Sequence, residues 1–290
     1  MTDTLLNQFD DSDWSLIIEP RRKLLNLHLR ELWRYRDLVL LFVRRDFVSV
    51  YKQTILGPLW YLIQPLLTTL TFTVIFGNIA GLPTDGLPQF LFYMSGTVIW
   101  AYFADCLNKT ANTFAGNASL FGKVYFPRLA VPVSILISNL ITFFFQFALF
   151  LLFVIFFAVR GAPIQLHWGW VALSPLLVLM MAGLGLGFGI IISSLTTKYR
   201  DLRFLVSFGV QLFMYATPVI YPASSIPARF KWIVQANPMT PVVESFRYAF
   251  LGNGTVSYFQ LLYSFAFMLV VVFLGSLVFN RVEQTFMDTV

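Results

Sequence analysis

The sequence predicts an all-α integral membrane protein. It has six transmembrane helices, an amphipathic interface helix before the first, and short re-entrant helices on the extracytoplasmic side before the last. Two observations lead to that class. Of 290 residues, 58% are apolar and 18% aromatic, and only 12% are charged. A soluble domain carries about 25% charged residues, and a disordered chain combines low hydrophobicity with high charge, so both are excluded. The second observation is that the apolar residues gather into six runs near the roughly 20-residue length that crosses a hydrocarbon core. These are Thr54–Phe76, Phe90–Phe114, Val131–Val159, Trp170–Leu195, Phe204–Ile220 and Tyr258–Phe279. The chain divides into a cytoplasmic arm, 1–29, an interface helix, 30–53, the six-span domain, 54–282, and a cytoplasmic tail, 283–290.

Residues 1–24 are acidic and polar, unlike a cleavable leader. The segment Arg30–Lys52 is apolar but too charged to cross. At 3.6 residues per turn, Arg30, Arg34, Asp37, Arg44, Arg45 and Lys52 fall within about 80–100° of one another. Leu32, Leu40, Phe47 and Val50 fall elsewhere. Such a helix lies in the interface, as an anchor or as a docking surface for a cytoplasmic partner.

Orientation follows from Lys and Arg. Nine precede the first span: Arg21, Arg22, Lys23, Arg30, Arg34, Arg36, Arg44, Arg45 and Lys52. Lys109, Lys123, Arg128, Lys198, Arg200, Arg203 and Arg281 fall on the same side. Arg160, Arg229, Lys231 and Arg247 fall on the other. Sixteen against four places both termini in the cytoplasm, in keeping with an even number of spans.

Within the spans, Gly183/Gly187 and Gly185/Gly189 form two small-xxx-small pairs, which let backbones approach in lipid. Asp105 and Lys109 sit at i,i+4, where they pair along the helix or reach the headgroups. Ser207, Gln211 and Tyr215 make a polar stripe on the short fifth span. Asn237-Pro-Met-Thr-Pro241 divides the outer segment into two short helices, Pro227–Ala236 and Pro241–Leu251, because proline ends one helix and starts the next. Glu244 and Arg247 are spaced to pair at i,i+3. This segment is an inert hairpin or a lid.

Several chemistries are excluded. The run Gly116–Lys123 puts five residues between its glycines and Val124 after its lysine, so it is no Walker loop. The glycines at 183–189 lack the G-x-G-x-x-G spacing. His28 and His167 lie far apart, and Cys106 is alone, so no metal-ligand set or disulfide framework exists. No catalytic residues are assigned.

Arg45-Asp-Phe-Val-Ser-Val-Tyr-Lys-Gln-Thr-Ile-Leu-Gly-Pro-Leu-Trp-Tyr-Leu-Ile-Gln-Pro65 resembles the entry to the first span of permease subunits of polysaccharide-exporting ABC transporters. Asn237-Pro-Met-Thr-Pro-Val-Val-Glu-Ser-Phe-Arg247 and Lys198-Tyr-Arg-Asp201 are similar to that family as well. Ile18-Glu-Pro-Arg with Glu31-Leu-Trp-Arg-Tyr-Arg-Asp37 resembles its O-antigen branch. The similarity covers about residues 17–282.

The resemblance implies half of a membrane homodimer, paired with two separate cytoplasmic ATPase subunits that hold ATP and Mg²⁺; this chain itself needs no cofactor. It implies export of a long glycan on a polyprenyl diphosphate lipid across the bacterial inner membrane. A related exporter of teichoic acid, capsule or another bulky substrate is the alternative. The expected ATPase-coupling residues are Arg34, Asp37, Arg44 and Arg45, then Phe121, Lys123, Tyr125, Phe126 and Arg128 in the elbow between spans two and three, then Tyr199, Arg200 and Asp201. The expected outer gate is Asn237, Pro238, Thr240, Pro241, Glu244 and Arg247. Aromatic rings and amides suit a sliding sugar polymer because they bind weakly at many sites. Conduit candidates are Trp60, Gln64, Thr68 and Thr71 in span one, Tyr93, Thr97 and Trp100 in span two, and Ser207, Gln211 and Tyr215 in span five. Each could equally serve helix packing or an interfacial belt.

Overall fold

The computed structural model describes residues 29–52, 55–124, 126–199 and 201–289, with the side chains at 29–30, 50–51, 203 and 283–289 left aside. The basic residues Arg21, Arg22 and Lys23, the Ile18–Arg21 motif, and the elbow residues Tyr125 and Arg200 lie outside the described residues. All regular structure among the described residues is helical. Five helices are long and apolar enough to cross a membrane. They are α3 (Gly57–Ile79), α4 (Gln89–Ala111), α7 (Ala130–Val159), α9 (Ser174–Thr196) and α13 (Tyr258–Thr289, apolar through Val282).

Two helices precede the first span, α1 (Leu29–Arg34) and α2 (Arg36–Tyr51). The buried face of α2 is Val39, Phe42 and Val43, at i, i+3 and i+4. Leu40, expected on the apolar face, is 59% exposed. α3 opens at Gly57-Pro58, where proline's fixed φ suits the first turn. It carries Pro65 and ends in a widened π-turn over Thr73–Ile79. There Gly77 lets the Gln89 side chain approach to 2.5 Å from where a Cβ would stand.

α4 is the centre of the bundle. Leu91, Tyr93, Met94, Val98, Ile99 and Phe103 are all fully buried. The glycines of α9 explain how it and its neighbours come so close. A Cβ on Gly185 would lie 2.7 Å from Cys106 Cβ, and one on Gly189 would lie 2.5 Å from Thr110 Cβ, both on α4. A Cβ on Gly183 or Gly187 would meet Met268 or Val271 on α13. The two small-xxx-small pairs thus serve two different partners.

The fifth expected span is shorter than its apolar run. α10 covers only Leu202–Tyr215, and the chain turns at Thr217-Pro218. Proline disfavours helix at the residue before it, and Thr217 Oγ1 donates to the Phe213 carbonyl at 2.8 Å. α10 is loosely held: Phe204, Leu205, Phe208 and Leu212 are exposed, and Val210 is its one buried side chain among the described residues. The outer segment forms α11 (Lys231–Ala236) and α12 (Thr240–Leu251), as the prolines predict. α12 stops at Gly252, whose φ of +82° is the left-handed C-cap conformation. Three short helices complete the fold: α5 (Thr113–Gly116), α6 (Ala118–Phe121) and α8 (Trp168–Ala172).

Candidate functional site

Three groups of predicted residues occupy three levels of the bundle. The first centres on α12. Asn237, Pro238, Thr240, Pro241, Glu244 and Arg247 are all buried. Arg247 Nε donates to Ser95 Oγ at 3.2 Å, Nη2 to the Val219 carbonyl at 2.6 Å, and Nη1 to the Pro218 carbonyl. The expected pair forms, with Nη1 3.4 Å from Glu244 Oε1. Glu244 Oε2 in turn accepts from the Thr255 backbone N–H at 2.8 Å and hydroxyl at 3.1 Å. Burial pulls the Arg247 guanidinium down to about 10 while Glu244 opposes the shift, so it stays cationic at neutral pH. Asn237 ties the preceding turn together: its Nδ2 donates to Thr217 Oγ1 at 2.8 Å, and its Oδ1 accepts from the Met239 N–H at 2.8 Å. Ser264 Oγ donates to the Pro238 carbonyl at 2.5 Å, fastening the turn to α13. The polar groups of this segment therefore hold α4, α12, α13 and the end of α10 together.

Sequence reasoning missed Phe92, Ser95, Thr255 and Ser264 in this cluster. Ser95 lies 152 positions from Arg247, so no local spacing links them. The available signal is a charged pair inside an apolar segment, which needs acceptors and donors from elsewhere.

The middle level holds the conduit candidates, and the structure separates them. Trp60, Gln64 and Thr71 on α3 are exposed, and Thr68 is half-buried, its hydroxyl bonded to the Gln64 carbonyl at 3.0 Å. Ser207, Gln211 and Tyr215 on α10 are exposed. Tyr93, Thr97 and Trp100 are not: their exposures are 0%, 7% and 6%. Thr97 bonds Thr69 at 3.2 Å between α4 and α3, and Trp100 packs on Phe213 at 5.8 Å. The span-two set thus packs between helices in this structure, with almost no free surface to offer a ligand.

The third level contains the elbow. Lys123 is exposed and Arg128 is half-buried over the Phe121 ring at 5.6 Å. Phe121 and Phe126 are buried, at 4% and 5% exposure. Two of the expected coupling residues therefore keep their rings inside the bundle. They form an internal chain of aromatics, Phe42–Phe126 at 5.7 Å, Phe126–Phe121 at 5.7 Å, Phe121–Phe114 at 6.0 Å and Phe114–Phe279 at 4.5 Å. The chain connects α2, the elbow, α5 and α13. The surface left for contact is charged: Arg34, Asp37, Arg44 and Arg45 on α1 and α2, with Tyr199 and Asp201 after α9, are exposed. Arg45 Nη2 pairs with Asp46 at 2.8 Å.

The comparisons with known proteins agree with this architecture. The family model described as ABC-2 type transporter matches residues 37–251. An O-antigen export system permease protein, RfbA, from Klebsiella pneumoniae is 31% identical over 254 residues, covering 87% of this chain and 94% of its own length. The protein of the same name from Myxococcus xanthus is 27% identical, covering 90% and 98%. The polysialic acid transport protein KpsM of Escherichia coli is 25% identical, covering 84% and 93%. With three quarters of its length matched and its bundle built from spanning helices, the chain belongs to the ABC-2 type transporter family, as a membrane permease of that family.

Proposed function

We propose that this permease is the membrane half of an ATP-driven exporter that moves a lipid-linked polysaccharide of the O-antigen type across the bacterial inner membrane. Two copies form the conduit, and two cytoplasmic ATPase subunits bind ATP and Mg²⁺ and drive it. Both termini are cytoplasmic, α1 and α2 lie in the interface, and α10 with residues 216–220 completes a sixth crossing. The relatives named for O-antigen export support the substrate class, and the relative named for polysialic acid transport leaves capsule-type glycans as the second reading.

The observation that carries the proposal is the uncovered polar face of α10. Ser207, Gln211 and Tyr215 lie on one stripe, all exposed, on a helix too short to prefer lipid. Trp60 and Gln64, both exposed, with half-buried Thr68, offer a second face on α3. Rings stack on the C–H faces of sugars, and amides and hydroxyls bond sugar hydroxyls without regard to sequence. Coupling runs through the charged surface of α1 and α2, with Lys123, Tyr199 and Asp201. The α12 segment closes the outer mouth.

Gene deletion tests the function. Surface glycan should disappear and lipid-linked glycan should accumulate inside. Unchanged surface glycan would overturn the exporter reading, and loss of capsule with intact O-antigen would favour the second.

A further inference from the structure

The cytoplasmic half of α4 presents a face that neither the conduit candidates nor the coupling surface includes. Ala101, Ala104, Asp105, Asn108, Lys109 and Asn112 are each half-buried or exposed. Between them Tyr102, Phe103, Cys106, Leu107, Thr110 and Ala111 are buried. The open positions recur at i, i+3, i+4, i+7 and i+8, one continuous stripe of the helix, and Asn112, its C-cap, continues it. It contains no large apolar side chain.

Its charges are internally balanced. Lys109 Nζ lies 3.7 Å from Asp105 Oδ2 and donates to Asn139 Oδ1 on α7 at 2.6 Å, yet the two charged side chains remain 55% and 47% exposed. Among the described residues the side-chain amides of Asn108 and Asn112 have no hydrogen-bond partner. Asp105 and Lys109 lie in the last two turns of α4, where their charges reach headgroups or water, and the unpartnered amides of Asn108 and Asn112 mark the stripe as facing water rather than hydrocarbon. An anionic ligand is poorly matched by a neutralised Asp–Lys pair. What fits is an uncharged, hydroxyl-rich chain in water: free amides donate and accept, and the two alanines leave room beside the helix.

We propose that this stripe lines the water-filled cytoplasmic entrance of the transport path, where Asn108, Asn112 and the Asp105–Lys109 pair hydrogen-bond the hydroxyls of the entering glycan. The proposal rests on the exporter reading and names the entrance wall on span two, one to three turns nearer the cytoplasm than Tyr93–Trp100.

The test uses the assembled transporter in inside-out vesicles. Asn108→Cys and, one turn away, Ala104→Cys are made in a Cys106→Ser background that sustains export. Leu152→Cys, at an exposed apolar position of α7, is the reference. A membrane-impermeant maleimide is added with lipid-linked glycan present or its synthesis blocked. Both α4 variants should label several-fold faster than Leu152→Cys, and several-fold slower when a hydrolysis-deficient ATPase stalls the glycan in place. Labelling no faster than the reference would mean that the stripe faces lipid and would overturn the proposal. So would fast labelling that glycan never slows, or protection by ATPase assembly alone, which would make the stripe a subunit contact. The deletion phenotype is read separately, so the entrance wall can fail while the exporter stands.

Discussion

Arg247 on α12 stacks over Phe92 on α4, its guanidinium carbon 3.9 Å from the ring centroid. The ring face attracts the cation, and two carbonyls, one hydroxyl and Glu244 take up the N–H groups. Gly96 makes the approach possible, since a Cβ there would stand 2.9 Å from Arg247 Nη2.

Replacing Arg247 by alanine should therefore unfold the outer layer. It leaves Glu244 buried and two carbonyls unanswered, a loss on the order of 3–5 kcal/mol. Arg247→Lys should fail as well, because a point charge cannot reproduce the planar fork. Thermal unfolding of the purified transporter should shift down for both variants. An unchanged melting temperature would show that the cluster is not a structural lock.

Gly189→Val should destabilise the bundle, because its Cβ would sit 2.5 Å from Thr110. Overpacking of that kind costs about 1–3 kcal/mol. Gly209→Ala on α10 is the control: nothing lies within 4 Å of a Cβ there. Membrane levels of the two proteins should differ clearly, and equal levels would contradict the close approach of α9 to α4.

The elbow gives a paired prediction. Phe126→Ala removes a buried ring, which in soluble cores costs about 3–5 kcal/mol, and should lower the amount of folded protein. Lys123→Ala, at an exposed site, should leave the amount unchanged while reducing glycan-dependent ATP hydrolysis by the assembled complex. If the Phe126→Ala protein is stable and merely uncoupled, the ring faces the ATPase after all.

Tyr215→Ala should behave in the opposite way to a core substitution. The side chain is 46% exposed, so its loss leaves no large cavity. Expression and assembly should be normal, and surface glycan should fall. Depletion of the protein itself would assign Tyr215 to packing.

Much of the bundle was legible in the sequence. Apolar runs located the five long helices, and glycine spacing anticipated the two close contacts of α9. Proline positions placed α11 and α12. The functional faces were less legible, for a physical reason: a tryptophan or tyrosine on a spanning helix suits a helix–helix contact as well as a sugar-binding wall. Trp100 and Trp60 are the same residue type in similar apolar surroundings, yet one is buried and the other exposed. Phe121 and Phe126 are alike in this: an aromatic beside basic residues reads the same in sequence whether its ring faces outward or, as here, turns inward to Phe42 and Phe114. The end of α10 was lost because Val219-Ile220 prolongs the apolar run beyond the proline that stops the helix.

The glycines of α9 also divide the protein mechanically. Backbone-to-backbone contact on one side with α4 and on the other with α13 forbids rotation or sliding of any of the three without first lifting them apart. The three helices pack as one frame. α3 has a proline in its body and a π-turn at its end, and α10 keeps most of its surface free. α3 and α10 are therefore the helices whose displacement would disturb that frame least.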